Sequence, residues 1–185
     1  TEVWAAYRGY LAELLDFDAQ MGRLLAFLRE EGLYEDALVL VASDHGEEFL
    51  DHGDTAHGKT LFEEMLWVPA VLKPPGVGSP RREANPIGLV DLMPLLLSHL
   101  DIKAPAEVEG RAFLGEGSSA NKTPFVSTLR LDGRLQSAII LDPWKLILDH
   151  RTRRVSLFDL SRDPREQENQ SSDNPQKTQE MLRLL

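Results

Sequence analysis

A continuous β-prone run, Ala37-Leu38-Val39-Leu40-Val41-Ala42, follows a long amphipathic stretch with only a short turn between them. Six such residues in a row leave no polar face, so the run suits a strand buried on both sides, as in a parallel sheet. Upstream, Val3, Tyr7, Tyr10, Leu14, Phe17, Met21, Leu24 and Leu28 recur in steps of four and three, the period of one apolar helix face. Gly32 stands where a left-handed residue closes such a helix. A heptad coiled coil is the competing reading of the stripe, and the strand signal directly after it argues against one. Helix, turn and buried strand make half of an α/β crossover unit. The expectation is therefore a helix from Val3 to Arg29 packed on one face of a parallel or mixed sheet.

Beyond this unit, residues Ser43 to Phe62 are polar, Gly-punctuated and rich in His and acids, which reads as a long loop. Leu66 to Lys73 reads as a second strand, ended by Pro74-Pro75-Gly76. Leu89 to Leu100 reads as a helix, with Pro94 tolerated in its first turn. A Gly-, Pro- and Ser-containing connector follows over about 101–124. Four short strands are then expected at Phe125 to Leu131, Leu135 to Leu141, Trp144 to Asp149 and Val155 to Asp159, the first two joined by an Asp132-Gly133 hairpin turn. Lys177 to Leu185 reads as a closing helix. No internal repeat is visible. The chain thus divides into an incomplete α/β part, 1–105, and a small antiparallel sheet with a terminal helix, 106–185.

Composition narrows the function classes. Over 185 residues, 42% are hydrophobic and 27% charged, as in an ordinary globular protein. Twenty Lys and Arg face thirty Asp and Glu, a net charge of -10. Nucleic acid is not expected as a partner, because a phosphate backbone needs a basic face. No apolar run approaches the ~18 residues of a membrane span, and compartment is left undetermined. Cysteine is absent, which excludes disulfides, thiolate metal sites and Cys nucleophiles within this chain.

The segment that carries chemistry runs from Ser43 to Lys59. It holds three of the five histidines, His45, His52 and His57, with three Asp and two Glu. Ligands of open α/β sheets bind past the C-terminal ends of strands, where Asp44 and His45 fall. A neighbouring carboxylate and imidazole can face one ion only from a non-helical turn, which Gly46 would permit. A solvated acidic loop with incidental histidines is the alternative. Two further His-Gly steps, His52-Gly53 and His57-Gly58, weigh against it.

Ser43-Asp44-His45-Gly46-Glu47 behind a buried strand, then His-Gly, a cationic residue, Glu and Val68-Pro69, resembles the sulfatase family of the alkaline-phosphatase superfamily. The likeness extends through Gly32-Leu33-Tyr34-Glu35-Asp36, Val90-Asp91-Leu92-Met93-Pro94, Gly110-Arg111, Trp144-Lys145-Leu146-Ile147 and the run from Leu157 to Glu166. It implies the C-terminal portion of such an enzyme, with an α/β fold. That portion is a partial alkaline-phosphatase-like sandwich, a C-terminal antiparallel subdomain and a terminal helix. It also implies that Asp44 and His45 are two of four ligands of a divalent cation. Calcium is the usual ion, and the imidazole leaves manganese, magnesium or zinc open. Glu47, Glu48, Asp51, Asp54, Glu63 and Glu64 are assigned to loop structure or outer-shell support.

Two departures from the family matter. A Lys that contacts the transferred sulfate commonly follows the metal Asp by about a dozen positions. Thirteen on from Asp44 is His57, with Lys59 close behind. Both are candidate catalytic residues, His57 preferred as a hydrogen-bond donor to sulfate or leaving oxygen and Lys59 as a point charge. The family nucleophile is a formylglycine made from Cys or Ser in a Cys/Ser-x-Pro/Ala-x-Arg context, which this chain does not contain. Ser79-Pro80-Arg81-Arg82 has the wrong spacing and reads as a surface turn. The resemblance implies a parent that hydrolyses small-molecule or glycan sulfate esters, with the formylglycine and two acidic ligands in a missing N-terminal part. The 185-residue chain by itself is expected to be without turnover and prone to self-association. A phosphodiesterase, phosphonate monoester hydrolase or phosphoglycerol transferase of the same superfamily is the first alternative. A truncated or degenerate interaction module without a metal is the second.

Overall fold

A computed structural model describes residues 2–76, 78–83, 86–112 and 124–185. Helix α1 (Glu2–Glu30) ends where Gly32 takes a φ of 70°. The Leu33 amide donates to Leu28 O at 2.8 Å and the Gly32 amide to Arg29 O at 3.1 Å, the paired bonds of a Schellman cap. Strand β1 (Val39–Ala42) follows, then a loop carrying the two-residue strands β2 (Glu48–Phe49) and β3 (Thr55–Ala56). The one-turn helix α2 (Glu63–Leu66), strand β4 (Ala70–Lys73), a 3-10 turn (Leu89–Asp91) and helix α3 (Leu92–His99) come next. Pro94 is in the first turn of α3, where its missing amide costs nothing. Of the connector expected over 101–124, residues 113–123 lie outside the described residues.

Two expectations for the first part need correction. Strand β1 pairs antiparallel with β4, Val39 opposite Lys73 and Ala42 opposite Ala70, and among the described residues it has no parallel neighbour. Its residues are half-buried or exposed rather than enclosed on both faces, because a two-stranded ribbon cannot cover both sides of a strand. Helix α1 does not lie buried on a sheet face either. Val3, Met21, Leu25 and Leu28 are half-buried, and every other α1 side chain is exposed. Its aromatic contacts run to the loop instead, with Tyr7 and Tyr10 ring centroids 5.1 Å and 5.4 Å from that of Phe49.

The second part matches the sequence closely. Strands β5 (Phe125–Leu131), β6 (Arg134–Leu141), β7 (Trp144–Asp149) and β8 (Val155–Asp159) form an antiparallel meander in chain order. Asp132 and Gly133 both take positive φ, 48° and 75°, as a two-residue primed hairpin turn requires. Alternation along the strands makes two apolar faces. Ile139, Leu146 and Leu157 pack with Met181 of the closing helix α4 (Pro175–Leu182). Ala138, Ile147 and Phe158 pack on the other side with Leu61, Phe62 and Leu66. The sheet therefore supports, through residues 61–66, the loop that bears the candidate site.

Candidate metal and sulfate-binding site

The site begins where β1 stops. The Ser43 amide donates to Pro69 O, continuing the ribbon by one residue, and the Ser43 hydroxyl donates to His45 O at 2.7 Å. The His45 amide donates to Asp44 Oδ1 at 2.9 Å. Gly46 is needed here for close approach rather than for a positive φ. Its amide donates to Met65 O, and a Cβ at this position would stand 1.7 Å from Glu64 O. This contact presses the Asp44-His45 turn against α2.

His45 and Asp44 face a common space. His45 Nδ1 is 2.8 Å from Gly46 O. A carbonyl only accepts, so Nδ1 carries a proton, and in the neutral ring Nε2 keeps the lone pair. Nε2 lies 3.8 Å from Asp44 Oδ1, a gap one ion can bridge with bonds of about 2.0–2.5 Å. The Asp44 side chain is 87% exposed. His57 comes to the same place, its ring centroid 4.3 Å from that of His45, with Nδ1 3.0 Å from Glu47 Oε2. His45, Glu47 and His57 each offer a ligand atom, all within 4.8 Å of one another. Two imidazoles with carboxylates suit a divalent ion that accepts nitrogen, such as zinc or manganese, better than calcium's oxygen-rich shell.

Lys59 takes another direction. Its Nζ lies 3.3 Å from Asp54 Oδ1, while Arg134 of β6 holds Asp54 Oδ2 at 3.2 Å and donates to Lys59 O. Burial raises the Asp54 carboxyl, and Lys59 and Arg134 outweigh it to leave the group below its ordinary range. The structure thus gathers Asp44, His45 and His57, adds Glu47, and engages Lys59 with Asp54.

Glu48 organises the loop from inside. It is fully buried and accepts from the His52 and Asp54 amides and the Thr60 hydroxyl, at 3.1, 2.9 and 3.0 Å. Beneath lies an ion cluster that sequence reasoning did not pick out. Lys145 Nζ, fully buried on the β7 face shared with Ile147, donates to Glu63 Oε1 at 2.8 Å. It also sits 2.9 Å from Glu166 Oε1, an ion pair without hydrogen-bond alignment. Glu166 Oε2 in turn accepts the Glu63 amide at 2.6 Å. The signal available in the sequence was Lys145 inside the apolar run Trp144 to Leu148, where alternation points it inward.

Comparison with known proteins identifies the family and the fold. The sulfatase family model matches residues 2–102, more than half of the chain. Arylsulfatase K of Xenopus laevis is 26% identical over 191 residues, covering 95% of this chain and 35% of the relative. A solved structure in complex with its substrate D-glucosamine-2-N,6-O-disulfate superposes with a TM-score of 0.74 at 19% identity, over 93% of this chain and 38% of the other. The phosphonate monoester hydrolase of Silicibacter pomeroyi gives a TM-score of 0.70 at 24% identity, over 90% and 38%. At these identities the two structures establish the fold, a partial alkaline-phosphatase-like one. The chain spans about a third of the length of the curated relatives it matches. No helix among the described residues is long and apolar enough to cross a membrane. The sulfatase model's match across the Asp44–Lys59 loop shows that the chain belongs to the sulfatase family.

Proposed function

We propose that this chain forms half of the divalent-metal site of a sulfuric ester hydrolase, a parent enzyme whose formylglycine nucleophile lies outside the given sequence. The observation that carries the reading is the convergence of Asp44, His45, Glu47 and His57 at the end of β1. A divalent ion bound there supplies positive charge against the oxygens of a sulfate group. Asp44 and His45 Nε2 hold it. His57, with Nδ1 anchored on Glu47, is oriented to donate from Nε2 when protonated or to add a lone pair when neutral. Lys59, fixed on Asp54, contributes charge from the side. A sulfated glycan is the substrate class we favour, given the disulfated glucosamine bound by one structural neighbour.

Likeness to a phosphonate monoester hydrolase supports a second reading, a phosphate- or phosphonate-ester hydrolase on the same scaffold. Turnover of aryl sulfates against phosphonate monoesters by the longer parent separates the two. On the 185-residue chain the test is calorimetry with calcium, manganese, magnesium and zinc. Weak binding of at least one ion is expected, tighter for zinc or manganese than for calcium and lost in Asp44→Asn and His45→Gln. Absence of binding by all four ions overturns the metal assignment and favours a non-catalytic interaction module.

A further inference from the structure

His52 stands between β2 and β3 on the same loop, outside the cluster just described. Its side chain is only 11% exposed, and its ring stacks on Phe62 at 3.6 Å with planes 8° apart. Nδ1 lies 2.6 Å from Glu64 Oε1 and Nε2 3.2 Å from Glu166 O. Ionised carboxylates and carbonyls only accept, so this ring meets acceptors at both nitrogens. Satisfying both requires two protons, which is the imidazolium. The charged groups around it are Glu48 of β2, whose carboxylate accepts the His52 amide, Glu64 of α2, and Glu166 after β8. Behind Glu166 stand Lys145 of β7 and Glu63 of α2. Four carboxylates surround the one ammonium, and a cation at His52 reduces that excess of negative charge.

We propose that His52 is a positioning residue acting as a proton-dependent latch: charged, it ties the loop bearing Asp44, His45 and His57 to the C-terminal segment at Glu166, and neutral, it releases that tie. The role of the loop rests on the function proposed above, whereas the latch stands on the His52 geometry itself. The competing state is a neutral ring whose Nε2 accepts from Gln167. That amide nitrogen lies 3.3 Å away and also donates to Arg165 O at 2.8 Å.

Burial draws the His52 pKa down, but the hydrogen bond and charge of Glu64, with Glu166 adding to them, leave it above the ordinary value. A group whose folded pKa is raised contributes stability that is whole below its unfolded value, ~6.5. That contribution fades as pH rises through the folded value. The latch is therefore closed in mild acid and opens as pH rises through that raised value.

The test is an imidazole 15N titration of the 185-residue chain over about pH 5–9, with amide hydrogen exchange at His52 and Asp54, corrected for intrinsic rate, over the same range. Expected are two protonated ring nitrogens on His52 above its ordinary midpoint, and an exchange protection that falls by about tenfold or more across that transition. Glu64→Gln moves both transitions to lower pH together, whereas Gln167→Ala, which removes the donor to the neutral ring, does not lower them. A neutral His52 near pH 6, protection flat across its titration, or a Glu64→Gln chain with an unmoved midpoint overturns the latch. Neither readout needs a metal or turnover, so a chain that binds no ion yet shows the coupled transitions keeps the latch and sinks the sulfatase-site reading.

Discussion

Gly46 carries more of the site's geometry than its size suggests. The turn that aims Asp44 and His45 exists because the Gly46 backbone lies against Glu64 O, where a methyl group would overlap at 1.7 Å. The clash is with backbone, which cannot swing aside, so α2 must shift. Gly46→Ala is expected to destabilise the chain by about 1–3 kcal/mol, the usual range for overpacking, measured by urea unfolding. Gly22 in α1 meets nothing within 4 Å of a built Cβ. Gly22→Ala is expected to stabilise by about 0.5–1 kcal/mol, because it removes backbone freedom from the unfolded chain at an open helical position. Opposite signs from the same chemical change would show that contact, not glycine content, decides the effect.

At the scale of elements, β7 connects the sheet to the site loop. Leu146 and Leu148 turn toward α4, so Lys145 and Ile147 turn the other way, beneath α2. Lys145 then has two carboxylates to neutralise, Glu63 from α2 and Glu166 from the segment after β8. Burial drives the Glu166 pKa up and Lys145 pulls it back, with the net shift upward. Lys145→Ala leaves both acids without a cation and is expected to cost about 3–5 kcal/mol. Lys145→Met paired with Glu166→Gln, which removes charge from both sides, is expected to recover much of that loss. Denaturant unfolding of the single and double variants measures the difference, and equal losses in both would show that packing rather than charge sustains the contact.

Across the whole molecule, apolar surface is unevenly covered. Trp4, Leu15 and Trp67 are exposed at 66%, 73% and 72%, and β1–β4 is a two-stranded ribbon with both outer edges open among the described residues. Such edges and patches are templates for association. The meander, by contrast, is packed on both faces by α4 and residues 61–66. We expect the 185-residue chain to self-associate through its first part, and we propose a unit boundary near residues 105 and 106. Light scattering over a concentration series checks the association. A clean monomer at high concentration would count against it, and Leu15→Lys with Trp4→Lys should reduce association if α1 is the contact.

The meander was legible to within a residue because its signals are local. Strand alternation and the Asp132-Gly133 turn depend on neighbours two to four positions away, and the helix stop at Gly32 likewise rests on a single backbone conformation. The Asp44-His45 pair was legible as a motif for the same reason. What the tertiary structure alone decided is whatever joins distant residues. It set β1 against β4 instead of a parallel partner, since strand pairing is a property of the neighbours present. It brought Glu47 to His57 and turned Lys59 to Asp54, because loop backbone conformation has no period to read. It put Lys145, Glu63 and Glu166 into one buried cluster. Each is an ordinary charged residue in sequence, and only removal from water makes their pairing obligatory.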